Sequence, residues 1–258
     1  MNLTSHERIM RIFQGKEIDR PALKLWGANL DNFLLHPDYR PVCELAAEKS
    51  DLFVSVDAPM QVYCGRYADT LITYELADTE QPLWKDRHIT IHTPKGNLHG
   101  IERISTQGDP SYTVEQLVKE PEDLEKILSL PYEPYPFDSK TYFDQQQKVG
   151  ERGVALMTLD HPGYALHRLI GSENLAYFSI DCRDLLTQTI SVFSSRIRAF
   201  VKAAVEAGVN GRKCIFLRLL LRRISRTLSF SLINLCAMTS IMQADMYGFI
   251  VTVRLQTL

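Results

Sequence analysis

The sequence predicts an α/β fold with a parallel sheet. Three observations carry that expectation. Helical and strand-like stretches alternate from residue 5 onward, Leu52–Val56 (LFVSV) is a β-rich run closed by Asp57, and Val154–Leu159 (VALMTL) is almost continuously apolar. A strand of the last kind is buried on both faces, as a parallel sheet covered by helices requires.

Thr4-Ser5-His6-Glu7 forms a capping box, and Ile9, Met10, Ile12 and Phe13 continue it as an apolar helical stripe that Gly15 ends. Asp19-Arg20-Pro21 is a turn, and Ala22–Trp26 reads as a short strand. Pro41 to about Lys49 is a second helix, leading into 52–56. Residues 70–105 break the pattern. His88–His92 and Leu98–Ile104 flank Thr93-Pro94-Lys95-Gly96 and predict a hairpin within an antiparallel insertion. His88 and His92 share a strand face, with His99 nearby; a solvated face is the expected outcome there, ahead of a metal site.

Pro121-Glu122-Asp123 starts a helix with acids in its first turn, and Ser139–Gly150 is another. After the strand at 154–159 come helices at Gly163–Ile170, Glu173–Phe178 and Arg183–Ala207, and Gly208 begins a further strand. In α/β sheets the chemistry gathers just past the carboxyl ends of the strands. That rule singles out Trp26, Asp57, Asp160 and His161, although a turn or helix cap is the commonest role of such an Asp. Arg66, beside Cys64 in the loop VYCGRY, is a candidate anion-binding group, and Cys64 has no His or acid partner that would make it a nucleophile. Phosphate-binding glycine loops and nucleophile elbows are missing from the sequence.

The 258 residues are 45% apolar and 23% charged, an ordinary globular composition with a net charge of −2. Five cysteines, at 43, 64, 182, 214 and 236, form no Cys-x-x-Cys pair and point to reduced thiols in the cytoplasm. The start lacks the apolar stretch of a signal peptide, and neither nucleic acid nor membrane is expected as a partner. The charge is uneven. Residues 1–210 hold 22 basic and 30 acidic side chains, whereas residues 211–258 hold seven basic ones and Asp245, with no proline after Pro162.

Three segments, LTSHERIMRIFQGKEIDRPAL, VKEPEDLEKILSLP and DHPGYALHRLIGSENLAYFSIDCRDLL, resemble the uroporphyrinogen decarboxylase family in order and spacing across about residues 3–210. The resemblance implies a (β/α)8 barrel with its site at the strands' carboxyl ends, and a tetrapyrrole or corrinoid-linked substrate. It implies catalytic roles for Asp57 and Asp160, and substrate contacts at Trp26, Arg66, His161 and Tyr164. Asp57 falls about where the decarboxylases keep the aspartate that stabilises a protonated pyrrole. Their arginine-rich signature is replaced here by LWGANLDNFLLHPDYRP, which favours the methyltransferase-like or uncharacterised side of the family. The methyltransferases bind zinc through a His-x-Cys motif and a distant Cys and work with a corrinoid protein; this chain has no such motif, so zinc belongs to a full-length methyltransferase-like form.

By this reading residues 1–210 are the N-terminal part of an incomplete barrel, about its first half, with 70–105 inserted, and 211–258 form a basic tail. Leu217, Leu220, Leu221 and Ile224 oppose Arg218, Arg222, Arg223 and Arg226, which suits a membrane-associated module. The alternative is out-of-frame translation. Codons permitted for 243–257, read from the third base of the Gln243 codon, can spell GGYVWVHCHGKTAN, similar to a strand of the family. The chain would then be a truncated product without catalytic function.

Overall fold

The computed structural model of the chain describes residues 2–24, 40–58, 60–107 and 109–209. In order these form α1 (Ser5–Phe13), α2 (Arg40–Lys49), β1 (Leu52–Asp57), α3 (Ala68–Leu71), β2 (Ile72–Asp78), β3 (Trp84–Ile91), β4 (Leu98–Ser105) and β5 (Tyr112–Glu115). Then follow α4 (Pro121–Leu128), α5 (Lys140–Val149), a 3-10 turn (Gly150–Arg152), β6 (Gly153–Thr158), α6 (Pro162–Ile170), α7 (Ser172–Asp181) and α8 (Arg183–Glu206). The fold class is mixed α/β, in two compact units. One comprises residues 2–58, 136–159 and 200–209, the other residues 60–135 and 160–199.

In the first unit α1 begins at the capping box the sequence predicts. Thr4 Oγ1 accepts from the Glu7 N–H, and the Glu7 carboxylate accepts from the Thr4 N–H. Ile9 goes into the core, and so does a charge: Arg8 is 4% exposed. Its guanidinium donates to Asp19 Oδ1 at 2.8 Å, to Asp51 Oδ1 at 2.5 Å and to the Leu3 carbonyl at 2.7 Å. Arg20 and the Leu23 N–H also donate to Asp51, so the buried carboxylate is fully engaged.

β1 and β6 pair in parallel, from Leu52↔Gly153 through Asp57↔Thr158. A Cβ at position 153 would lie 1.9 Å from the Leu52 carbonyl oxygen, so glycine is required where the pair opens. Val154, Ala155 and Met157 are buried, as an apolar run in a parallel sheet predicts. α5 packs on this pair through buried Tyr142 and Val149, and Gln146 Oε1 accepts the Ala155 N–H at 2.9 Å.

Two expected strands differ from the structure. Residues 22–24 of the predicted strand 22–26 are not in a strand. There the Asp51 N–H donates to the Leu23 carbonyl, and the Asp51 side chain takes the Leu23 N–H in place of a ladder partner. Gly208 does not begin a strand: with φ at 86° it ends α8, its N–H reaching the Val205 carbonyl and the Val209 N–H the Ala204 carbonyl, a Schellman pattern. Among the described residues the parallel sheet therefore has two strands, and no closed barrel is present. Residues 211–258, including the basic amphipathic stretch, lie outside the described residues.

The second unit holds a four-stranded antiparallel sheet in the order β2-β3-β4-β5, which is larger than the hairpin expected at 88–104. Cross-strand charge pairs extend it beyond the apolar residues. Arg103 grips Asp86 with two hydrogen bonds of 2.7 and 2.8 Å, and Arg87 pairs with Glu102, each directly opposite in register. α4, α6, α7 and the first part of α8 contribute a core of Leu124, Ile127, Leu166, Leu169, Leu175, Leu186, Phe193 and Ile197. No described helix is long and apolar enough to cross a membrane.

Candidate functional site

Asp57 ends β1, and its register partner Thr158 ends β6. The Thr158 hydroxyl donates to Asp57 Oδ1 at 2.7 Å, while the Ala58 N–H continues the ladder to the Thr158 carbonyl at 3.1 Å. The exposed carboxylate is thereby oriented by one hydrogen bond at the carboxyl end of a parallel pair. Chemically it is an aimed anion, suited to holding a cationic group or a developing positive charge. Sequence reasoning passed over Thr158. The only available signal was a hydroxyl closing an otherwise apolar strand.

Asp160, His161 and Tyr164 lie together in the second unit, at the start of α6. His161 is the N-cap: its Nδ1 accepts the Gly163 N–H at 3.1 Å, ahead of Pro162 in the first turn. Accepting at Nδ1 places the proton of the neutral ring on Nε2, and burial pulls the imidazole's pKa below its ordinary value. Asp160 faces Arg168, about two turns further on, at 3.6 Å, with both side chains exposed. Tyr164 is 43% exposed and stacks on His167 at 6.3 Å between ring centroids.

Arg66 lies in the same unit but serves its own loop. Its Nε donates to Glu133 Oε2 at 2.8 Å, and the Tyr67 hydroxyl reaches the same oxygen at 3.2 Å. The loop needs this clasp because Gly65 approaches Glu133 so closely that a Cβ would lie 1.9 Å from its carbonyl oxygen, at a φ of +59° that already favours glycine. The arginine that sequence reading missed is Arg196 on α8. Half-buried, it lies 4.1 Å from the Tyr132 ring centroid and donates to the Val62 and Tyr63 carbonyls, each at 2.9 Å. Burial lowers its pKa. Trp26 lies outside the described residues.

Cys64, in the loop that Arg196 fastens, is 0% exposed, and burial pushes its thiol up to about 12, so it is a packing residue. His92 falls one residue beyond β3, where Asn97 Oδ1 and Thr73 Oγ1 approach its ring nitrogens at 3.2 and 3.4 Å. His99 Nδ1 lies 3.0 Å from Thr90 Oγ1. Among the described residues no three His, Cys, Asp or Glu side chains converge as a metal-ligand set.

No protein-family model matches the chain, and no curated protein sequence does. A solved methyltransferase from Methanosarcina mazei is similar with a TM-score of 0.38 and 14% identity, over 80% of this chain. The chain spans 57% of the length of that structure. A likeness of that size fixes neither topology nor chemistry.

Proposed function

We propose that residues 1–210 are the N-terminal part of a uroporphyrinogen decarboxylase-like barrel protein, of the branch near the corrinoid-dependent methyltransferases, that binds a tetrapyrrole or corrinoid-linked substrate. The observation that supports this most is the oriented carboxylate of Asp57, hydrogen-bonded to Thr158 at the carboxyl end of the parallel strands. In this reading Asp57 faces the positive charge that develops on the macrocycle or on the transferred group. Asp160 is the second acid. His161 offers a neutral N–H donor to an acceptor oxygen, and the exposed Tyr164 ring offers a flat apolar surface for a conjugated ligand. Arg66 would bind an anion by exchanging Glu133 for it. Among the described residues no zinc-ligand set is present.

The test is binding by the full chain. Uroporphyrin and cobalamin are titrated separately, following quenching of porphyrin emission or the cobalamin absorption bands. One of them binds saturably, and Asp57→Ala, folded by circular dichroism, weakens it by about tenfold, the loss expected for about 1.4 kcal/mol. Binding of neither compound, or equal binding by Asp57→Ala, overturns the reading.

A further inference from the structure

β2 is an edge strand protected by neither a bulge, a proline nor a basic side chain. The other edge, β5, is protected: it is four residues long and its pairing with β4 is interrupted by a bulge at Ile101/Glu102. β2 has seven residues (ITYELAD), pairs with β3 without interruption from Ile72↔Ile91 to Asp78↔Lys85, and contains no Lys, Arg or Pro. The His92 N–H to Leu71 carbonyl bond of 2.8 Å sets the alternation of this ladder. Thr73, Glu75 and Ala77 therefore exchange bonds with β3, and the backbone groups of Tyr74, Leu76 and Asp78 point outward. Among the described residues no strand takes them.

The side chains along the edge say what would. Tyr74 and Leu76, on one face, are 58% and 61% exposed. Residues 67–84 hold Asp69, Glu75, Asp78 and Glu80 and no Lys, Arg or His. Of these acids only Asp78 has a lysine partner among the described residues, Lys85 at 3.2 Å. A second copy adding antiparallel to this edge would bring two acidic strands together, which is unfavourable. A strand bearing cations would neutralise them while its alternate apolar side chains cover Tyr74 and Leu76.

We propose that the outer edge of β2 is a docking site for an extended, lysine- or arginine-bearing strand of a partner polypeptide, which joins the sheet as a fifth strand.

The probe is a fluorescein-labelled octapeptide alternating Lys with Val, titrated into the full chain and read by anisotropy. Binding is saturable and weakens at least tenfold in Leu76→Lys, whose circular dichroism and melting are unchanged. Leu76→Pro, which removes an outward N–H and leaves the ladder to β3 intact, gives the same loss and serves where the lysine variant does not fold. N-methylation of alternate peptide amides abolishes binding. Absence of binding, equal binding of the peptide with Glu in place of Lys, persistence after N-methylation, or indifference to both Leu76 variants overturns the proposal. So does a peptide-free dimer that Leu76→Lys dissociates, because the occupant is then a second copy.

Discussion

His161 joins local structure to chemistry through a single atom. Its Nδ1 caps α6, so protonating the ring removes the acceptor that holds the Gly163 N–H. Burial lowers its pKa in the folded chain, so between that value and the unfolded value near 6.5 the unfolded chain binds more protons. Stability from this residue is complete above about pH 6.5 and declines as the pH falls below it. Nitrogen NMR of the ring should report the Nε2–H tautomer at pH 7.5. His161→Ala should cost about 1 kcal/mol at that pH, the usual value of a cap, with less loss at pH 5. A ring protonated on both nitrogens at pH 7.5, or a loss independent of pH, would contradict the assignment. The strand read at 154–159 and the helix read from Gly163 put Asp160, His161 and Tyr164 at a strand-to-helix junction, and α6 begins there at Pro162. The ion pair of Arg66 and the place of Arg196 were not legible: their partners, Glu133 on one side and Tyr132, Val62 and Tyr63 on the other, lie more than sixty residues away along the chain.

At the level of elements, α1 shows the limit of reading amphipathic stripes. Apolar periodicity and the capping box located the helix, but the stripe gives no hint that Arg8 is as deeply buried as its apolar neighbours. The reason is Asp51, 43 residues on, at the start of β1, whose side chain is wholly buried and takes charge from Arg8 and Arg20. Removing one partner of such a cluster strands the other, and Arg8→Ala is expected to cost about 3–5 kcal/mol in chemical denaturation at pH 7. Hydrogen bonds from Arg8 hold Asp19 well below the usual carboxylate range, and Asp51 is also lowered, since its hydrogen bonds from Ser5, Leu23 and Arg20 together outweigh its burial. Their contribution is present above the unfolded carboxylate range near pH 4 and is lost as acid carries the pH through the lower folded values. The deficit of Arg8→Ala should therefore shrink towards pH 2. An equal deficit at pH 7 and pH 2 would point to lost packing alone. The antiparallel sheet teaches the same lesson differently. Its hairpin was visible in the alternation, but β3 and β4 extend through Asp86–Arg103 and Arg87–Glu102, pairs that exist only once the register is known.

For the whole molecule, protection from solvent should follow the division into two compact units. Hydrogen exchange at pH 7 should be slowest in β6 and in the buried stretch of α8, where Val154, Ala155, Met157, Phe193 and Ile197 are at most 1% exposed. The outward amides of Tyr74 and Leu76 should exchange orders of magnitude faster than those of Thr73 and Glu75. Equal protection along β2 would mean that another segment already covers that edge. Fold class and most helices were readable from periodicity, since each depends on neighbours within a few residues. The extent of the parallel sheet was not, because strand pairing is a relation between distant segments: the expected strands at 22–26 and 208 look like strands locally, yet their described residues go to an Asp51 side chain and a helix terminus.

The cap on α6 also sets what this imidazole can refuse. A divalent ion is bound through an unshared electron pair, and in the neutral ring of His161 that pair sits on Nδ1, already committed to the Gly163 amide. To coordinate through Nε2 the ring would have to move its proton to the other nitrogen and release the first turn of the helix. Only an electron-rich atom on an incoming ligand can meet it without that disruption.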